Sequence, residues 1–294
     1  MKVLIMGCCK IYNVIIQGGK IMKILMLSWE YPPNNTSGLS SDVYYLSKSL
    51  GELGHEVHVI TCGKNGANEK AAEGVIVHRL TSYSFDADDF ISSVIHWNFS
   101  MIEEAVKLIN SLGKFNIIHS HDWPAVYAAK MLKGAYSIPL VCTIHTTEHG
   151  RNNGIRTNMQ RYIASAEWTL TYEAWKVIIC SDSMKDEINA TYNIPLDKLF
   201  VIANRSNEVE NDRNEYEEVS EKHAWDNIAL ATLKLYEEIE KETKGTEWEV
   251  VQAKVKKRAV RKKKAEENIE EKTEERVENQ TKAKRIRKKV SEKA

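Results

Sequence analysis

Proline and glycine run out early in this chain. All five prolines lie at or before Pro195, and of fourteen glycines only Gly245 lies beyond Gly154, so turn-rich globular sequence stops near residue 205. Cysteine is sparse as well. Cys8, Cys9, Cys62, Cys142 and Cys180 form no C-x-x-C pair, and three of them close apolar strand-like runs. That pattern excludes a disulfide framework and fits buried, reduced thiols of a cytoplasmic protein. No segment approaches the roughly 20 consecutive apolar residues that a membrane span needs. The opening MKVLIMGCC sets a lysine before an apolar run too short for a signal peptide, with Lys10 directly behind it. Without secretion, the N-x-[ST] matches at Asn34 and Asn35 carry no chemistry.

What is present suffices for one large domain or two modest ones: 294 residues, 43% of them apolar. The formal net charge of zero conceals a split. Residues 241–294 hold 19 Lys/Arg against 11 Asp/Glu, and residues 1–240 hold 22 against 30, giving an acidic body and a basic tail.

From Lys23 the hydrophobic pattern is regular. KILMLS (23–28) is a short apolar run, followed by a loop and then Val43, Leu46, Leu50 and Leu53 at helical spacing up to Gly54. EVHVIT (56–61) and VIVHRL (75–80) read as strands, and 87–112 as a long helix ending near Gly113. The alternation then repeats: strand 115–120, helix 123–134, strand 139–145, helix 157–174, strand 176–181, a short helix after Ser181, and strand 199–203. Continuously apolar strands alternating with helices predict an α/β fold, a doubly wound parallel sheet covered on both faces.

In such a sheet ligands bind beyond the carboxyl ends of the strands. The residues there are distinctive. They are Ser28-Trp29-Glu30-Tyr31 after the first strand, His119-Ser120-His121-Asp122-Trp123 at the fourth, His145 through Arg151 after the fifth and Ser181-Asp182-Ser183 after the sixth. Asp122 and Ser181 are each also suited to cap the next helix. The stretch MLSWEYPPNNTSGLS (26–40) is a small-residue hinge from strand to helix; it reads either as a plain turn or as a place where helix N–H groups meet a phosphate.

In order and spacing, LSWEYPP…SGL…VYYLSKSLGELGHEVHVIT, HSHDW, TIHTTEHGRNNGIRTNMQRYIASAEWTLTYEAWKVIICSDSMKDEI and LFVIAN resemble glycosyltransferase family 4 and the glycogen/starch synthase-like enzymes, in their N-terminal half. The likeness covers residues 22–204. It implies a GT-B enzyme, two facing Rossmann-like domains, in which the C-terminal domain holds a nucleotide sugar such as ADP-glucose or UDP-glucose and the N-terminal domain holds a glycan or oligosaccharide acceptor. It further implies a hexosyltransferase that retains anomeric configuration without cofactor or bound metal. By the same resemblance His145 is the catalytic residue beside the transferred sugar, and Ser37, Gly38 and Leu39 form the donor-phosphate loop. The acceptor cleft is expected from Glu30, Tyr31, His119, His121, Asp122, Trp123, Glu148 and Arg151. Met22 coincides with the family's usual start, which leaves residues 1–21 as an extension. Asp86-Ala87-Asp88 imitates a metal-binding D-x-D, but at the start of a helix it suits compensation of the helix dipole.

The chain departs from that pattern in two ways. Ser37-Gly38-Leu39 stands where Gly-Gly-Leu is usual, and Asp42 where histidine is common. A serine Cβ, strained if φ is positive there, and an acid in the first helical turn both disfavour a phosphate. The second departure is larger. After residue 204, where the family continues into its donor domain, residues 205–222 form an acidic linker. Residues 223–244 then resemble the family's closing helix. The expected organisation is a single Rossmann-like domain (22–204), the linker, the closing helix, and a charged tail (245–294), helical or disordered, with too few apolar residues for a core. Three functions remain open: a truncated hexosyltransferase inactive unless a second chain supplies the donor domain, a non-catalytic carbohydrate-binding or partner-assembling module, and an adaptor whose basic tail binds nucleic acid or an anionic surface.

Overall fold

Apolar β-forming residues build an eight-stranded sheet. The computed structural model describes residues 20–33, 37–63, 68–81, 90–203 and 215–243. Residues 1–19, Asn34 and Asn35, the Asp86-Ala87-Asp88 triplet, residues 204–214, which include the first part of the acidic linker, and residues 244–294, which include the whole charged tail, lie outside them. The strands are β1 (Lys23–Ser28), β2 (Glu56–Cys62), β3 (Asn68–Ala72), β4 (Val75–Leu80), β5 (Ile117–His121), β6 (Leu140–Ile144), β7 (Lys176–Ile179) and β8 (Leu199–Val201). Their order is β3-β4-β2-β1-β5-β6-β7-β8. All neighbours pair in parallel except β3, which runs antiparallel to β4 at the edge. The doubly wound α/β expectation holds, with one strand, β3, added to it.

Helices cover both faces, because parallel strands connected by crossovers bury both sides. On one face lie α2 (Phe90–Leu112), α3 (Val126–Tyr136), α5 (Asn158–Glu173) and α6 (Asp182–Tyr192). Their apolar stripes, including Val94, Trp97, Met101, Leu132, Leu170 and Ile188, pack on Leu25, Leu27, Ile118 and Val177. On the other face α1 (Gly38–Glu52) and the long α7 (Glu215–Thr243) pack on Ile24, Met26, Val57, Val59, Ile117 and Val141. At Gly51 a Cβ would come within 2.2 Å of the Glu73 carbonyl oxygen, so α1 meets the β3–β4 turn only through glycine.

Helix α7 begins eight residues before the closing helix expected from the sequence. Trp225, Ala229, Leu233, Tyr236 and Ile239 recur at three- and four-residue spacing and are buried on the sheet. Polar contacts fix its far end: Glu240 accepts from Asn116 Nδ2 at 2.9 Å, and Glu242 accepts from Trp175 Nε1 at 2.6 Å and pairs with Lys176. Trp225 stacks on Tyr45 of α1, with centroids 5.5 Å apart. Among the described residues no helix is long and apolar enough to cross a membrane.

Candidate functional site

Strand order reverses between β1 and β5, since the chain goes outward from β1 to β2 and β4 and then returns to β5 on the opposite side. That reversal opens a crevice at the carboxyl ends of these two strands. Parallel register sets the depth of each group: Ser28 at the end of β1 lies opposite His121 at the end of β5, and His121 opposite Thr143 of β6. His145 follows β6 directly.

His145 is the hub. Its Nδ1 lies 3.1 Å from Asp42 Oδ2 on α1, its Nε2 lies 3.4 Å from His121 Nδ1, and its backbone N–H donates to Asp122 Oδ1 at 2.8 Å. Asp122 holds this position with φ 56° and ψ 175°, a region nearly reserved for glycine. Burial alone would lower the basicity of His145, but the Asp122 and Asp42 carboxylates outweigh it and raise the pKa. His121 is pushed the other way, well below the usual range, by burial and by the charges of His119 and His145. Burial also raises Asp122. A small pocket is lined here by Asp42, His121, Thr143 and His145, and roofed by Trp225 and Ile228 of α7.

A second network adjoins the first. Thr147 caps the short helix α4 (Glu148–Asn152), whose Arg151 pairs with Glu148 at 2.8 Å and with Glu167 of α5 at 3.4 Å. Glu167 accepts the Glu148 backbone N–H at 2.9 Å and the Tyr192 hydroxyl at 2.5 Å. Burial raises the Glu167 carboxyl to about 7, against the opposing pull of these hydrogen bonds.

The expected site residues divide into three groups, the last of them the hinge of Glu30, Ser37, Gly38 and Leu39. His121, Asp122 and His145 come together at the crevice, with Glu148 and Arg151 beside them on α4. Three others belong to the core. Tyr31 is 1% exposed and contacts Ser47 Oγ at 3.1 Å; Trp123 packs edge-on against Phe90 and Tyr162; His119 lies mid-strand between Tyr236 of α7 and Thr143. A residue within a parallel strand faces a helix layer, so His119 supports the sheet and does not line its edge.

The hinge also differs from expectation. Ser37 is the N-cap of α1 with φ −71°, so it carries no positive-φ strain; its Oγ accepts the Ser40 N–H and donates to Glu30. Gly38 and Leu39 are the first residues of the helix, and Leu39 packs partly into the core. Asp42 lies beyond the first turn, so its carboxylate meets His145 and does not offset the helix dipole. Sequence reasoning did not identify Asp42 as the partner of His145, nor Glu167, Thr143 and Tyr236 as supports. For Glu167 a signal existed: an acid on the apolar stripe Ile163, Ala164, Leu170 of an amphipathic helix.

Residues 36–204 match the family model described as Glycosyltransferase Family 4. An uncharacterized glycosyltransferase of Methanocaldococcus jannaschii is 37% identical over 195 residues, covering 66% of this chain and 48% of that protein. The glycogen synthase of Mycobacterium tuberculosis is 32% identical over 201 residues, covering 62% and 48%. The chain thus spans about half the length of these curated relatives. Among solved structures, a sucrose-phosphate synthase chain from Thermosynechococcus elongatus superposes with a TM-score of 0.50 at 15% identity, covering 74% of this chain and 98% of that one.

Proposed function

The chain belongs to glycosyltransferase family 4, and from that membership we propose that it is the acceptor-side half of a retaining, glycogen/starch synthase-like hexosyltransferase. The observation that carries this is the short connection between β8 and α7: only residues 202–214 lie between them. So short a segment is far below what a nucleotide-binding sheet requires. The crevice at β1 and β5 holds a glycan acceptor, with Asp122 and His121 at its floor and Glu148 and Arg151 at its flank. If a second chain supplies a donor domain that carries ADP-glucose or UDP-glucose and keeps the diphosphate on its own side, outside the crevice, His145 stands where positive charge develops as the sugar departs. Positioned polar groups act most strongly at such a centre. No metal or cofactor is invoked in this reading.

By itself the chain holds the glycan without transferring to it, so in isolation it acts as a carbohydrate-binding module. Incubation with ADP-glucose or UDP-glucose and a malto-oligosaccharide tests this. We expect no lengthened product; turnover by the chain alone would contradict the proposal.

A further inference from the structure

We infer that Asp42 is a specificity-determining residue, the chain's own counter-anion to His145, which makes the crevice selective for uncharged, hydroxyl-bearing ligands and closed to free diphosphate anions. This deepens the proposed glycan-holding role and rests on it.

Seven contacts carry the inference. Asp42 Oδ2 lies 3.1 Å from His145 Nδ1; the Asp42 side chain is buried at 6% exposed and that of His145 is largely covered at 11%. The His145 backbone N–H is already taken by Asp122 Oδ1. Arg151, the guanidinium that α4 brings to the same edge, is held by Glu148 and Glu167 and donates to Thr146 Oγ1 at 2.5 Å. At the start of α1 the Ser40 N–H is spent on Ser37 Oγ, and that hydroxyl donates to Glu30. The His145 N–H, the His145 ring, the Arg151 guanidinium and the Ser40 N–H therefore each meet a group of the chain, and most of those groups are carboxylates. An incoming diphosphate would have to displace Asp42 and then lie among Asp42, Asp122 and Glu30. Like charges a few ångströms apart in a buried site repel strongly.

A hydroxyl meets no such barrier. His121 is 1% exposed, lines the pocket beneath α7, and its Nε2 has no hydrogen-bond partner. A hydroxyl can donate to that nitrogen or accept from it, according to the tautomer that His145 imposes through His121 Nδ1. A buried polar atom without a partner costs stability until something pairs with it. A phosphate oxygen, which only accepts, satisfies the nitrogen in one of its two states.

The test uses inorganic pyrophosphate and the whole chain, with the His145 ring followed by NMR and heat by calorimetry. The wild type is expected to show no shift of His145 and no heat at millimolar pyrophosphate. Asp42→Asn, which keeps the shape and removes the charge, is expected to bind pyrophosphate at least about tenfold more tightly than the wild type, with His145 shifting as it binds. Glu30→Gln provides a second, independent relief of charge and is expected to change affinity in the same direction by less. Saturable pyrophosphate binding at His145 in the wild type would overturn the inference, as would an Asp42→Asn protein that folds with unchanged melting behaviour and still ignores pyrophosphate. Because no glycan is present, a failure here is separate from a failure of the glycan-holding role.

Discussion

The hydroxyl of Tyr236 lies 2.6 Å from Nδ1 of His119, joining α7 to the middle of β5 across 117 residues of sequence. On the other side of the ring, His119 Nε2 lies 2.7 Å from Thr143 Oγ1. A neutral imidazole satisfies both contacts, accepting from Tyr236 and donating to Thr143. The closing helix is thereby attached to the two strands whose ends carry His121 and His145.

Tyr236→Phe keeps the ring in its buried place and leaves His119 Nδ1 without its donor. We expect a loss of about 1–2 kcal/mol in unfolding free energy, read as a shift of the urea midpoint at constant slope. A change below the error of the fit would show that the hydrogen bond contributes nothing net.

Burial drives His119 down to about 3, with a smaller push from the charge of His145, and drives His78 down to about 4, aided by His58. An imidazole depressed in the fold and ordinary in the unfolded chain takes up its proton only on unfolding. Its contribution is therefore full above about pH 6.5 and shrinks as pH falls toward the folded value, by about 2 kcal/mol for His119 at about pH 5. Ring NMR should find both histidines neutral at about pH 5; a charged His119 there, in folded protein, would refute this.

Glu167 behaves in the opposite sense. Its carboxyl is raised to about 7 in the fold, so the folded state holds the proton more firmly than the unfolded chain does. Its contribution to stability is present below about pH 4.5 and is lost as pH rises through 7, by about 3 kcal/mol in all. Glu167→Gln keeps an acceptor for the Tyr192 hydroxyl and the Glu148 N–H and removes the titration. The difference in stability between variant and wild type should move in favour of the variant from about pH 5 to 8; a constant difference would count against it.

Much of this architecture was legible in the chain because its strands are buried on both faces and read as unbroken apolar runs. β3 was not. NEKAA has no β-branched or aromatic residue, and it pairs on one side only, as an edge strand. The start of α7 was hidden by the acidic composition of EYEEVSEKH, which reads as linker when its continuation onto the sheet is unseen. Strand ends place His121, Asp122 and His145 at one edge of the sheet, and in the structure these three residues meet there. The Asp42–His145 pair spans 103 residues and joins α1 to the loop after β6, which no local pattern records. Tyr31 and Trp123 lie next to the cleft in sequence, but Tyr31 reaches Ser47 of α1, Trp123 sits in the turn after β5, and both side chains are buried in the core.

Asp122 separates structure from binding. Asp122→Gly relieves the positive φ and should cost less stability than Asp122→Ala, with a gap of about 1 kcal/mol in unfolding free energy. Both variants lose the carboxylate that holds the His145 loop. Equal stability of the two would show that the backbone there is unstrained.

The most direct measurement is calorimetric titration of a malto-oligosaccharide into the wild-type chain and into Asp122→Gly. Saturable binding at millimolar ligand or below in the wild type, and its loss in a folded Asp122→Gly protein, is the predicted result. No heat from the wild type at millimolar oligosaccharide, or undiminished binding by the variant, would contradict the placement of a glycan in the crevice between β1 and β5.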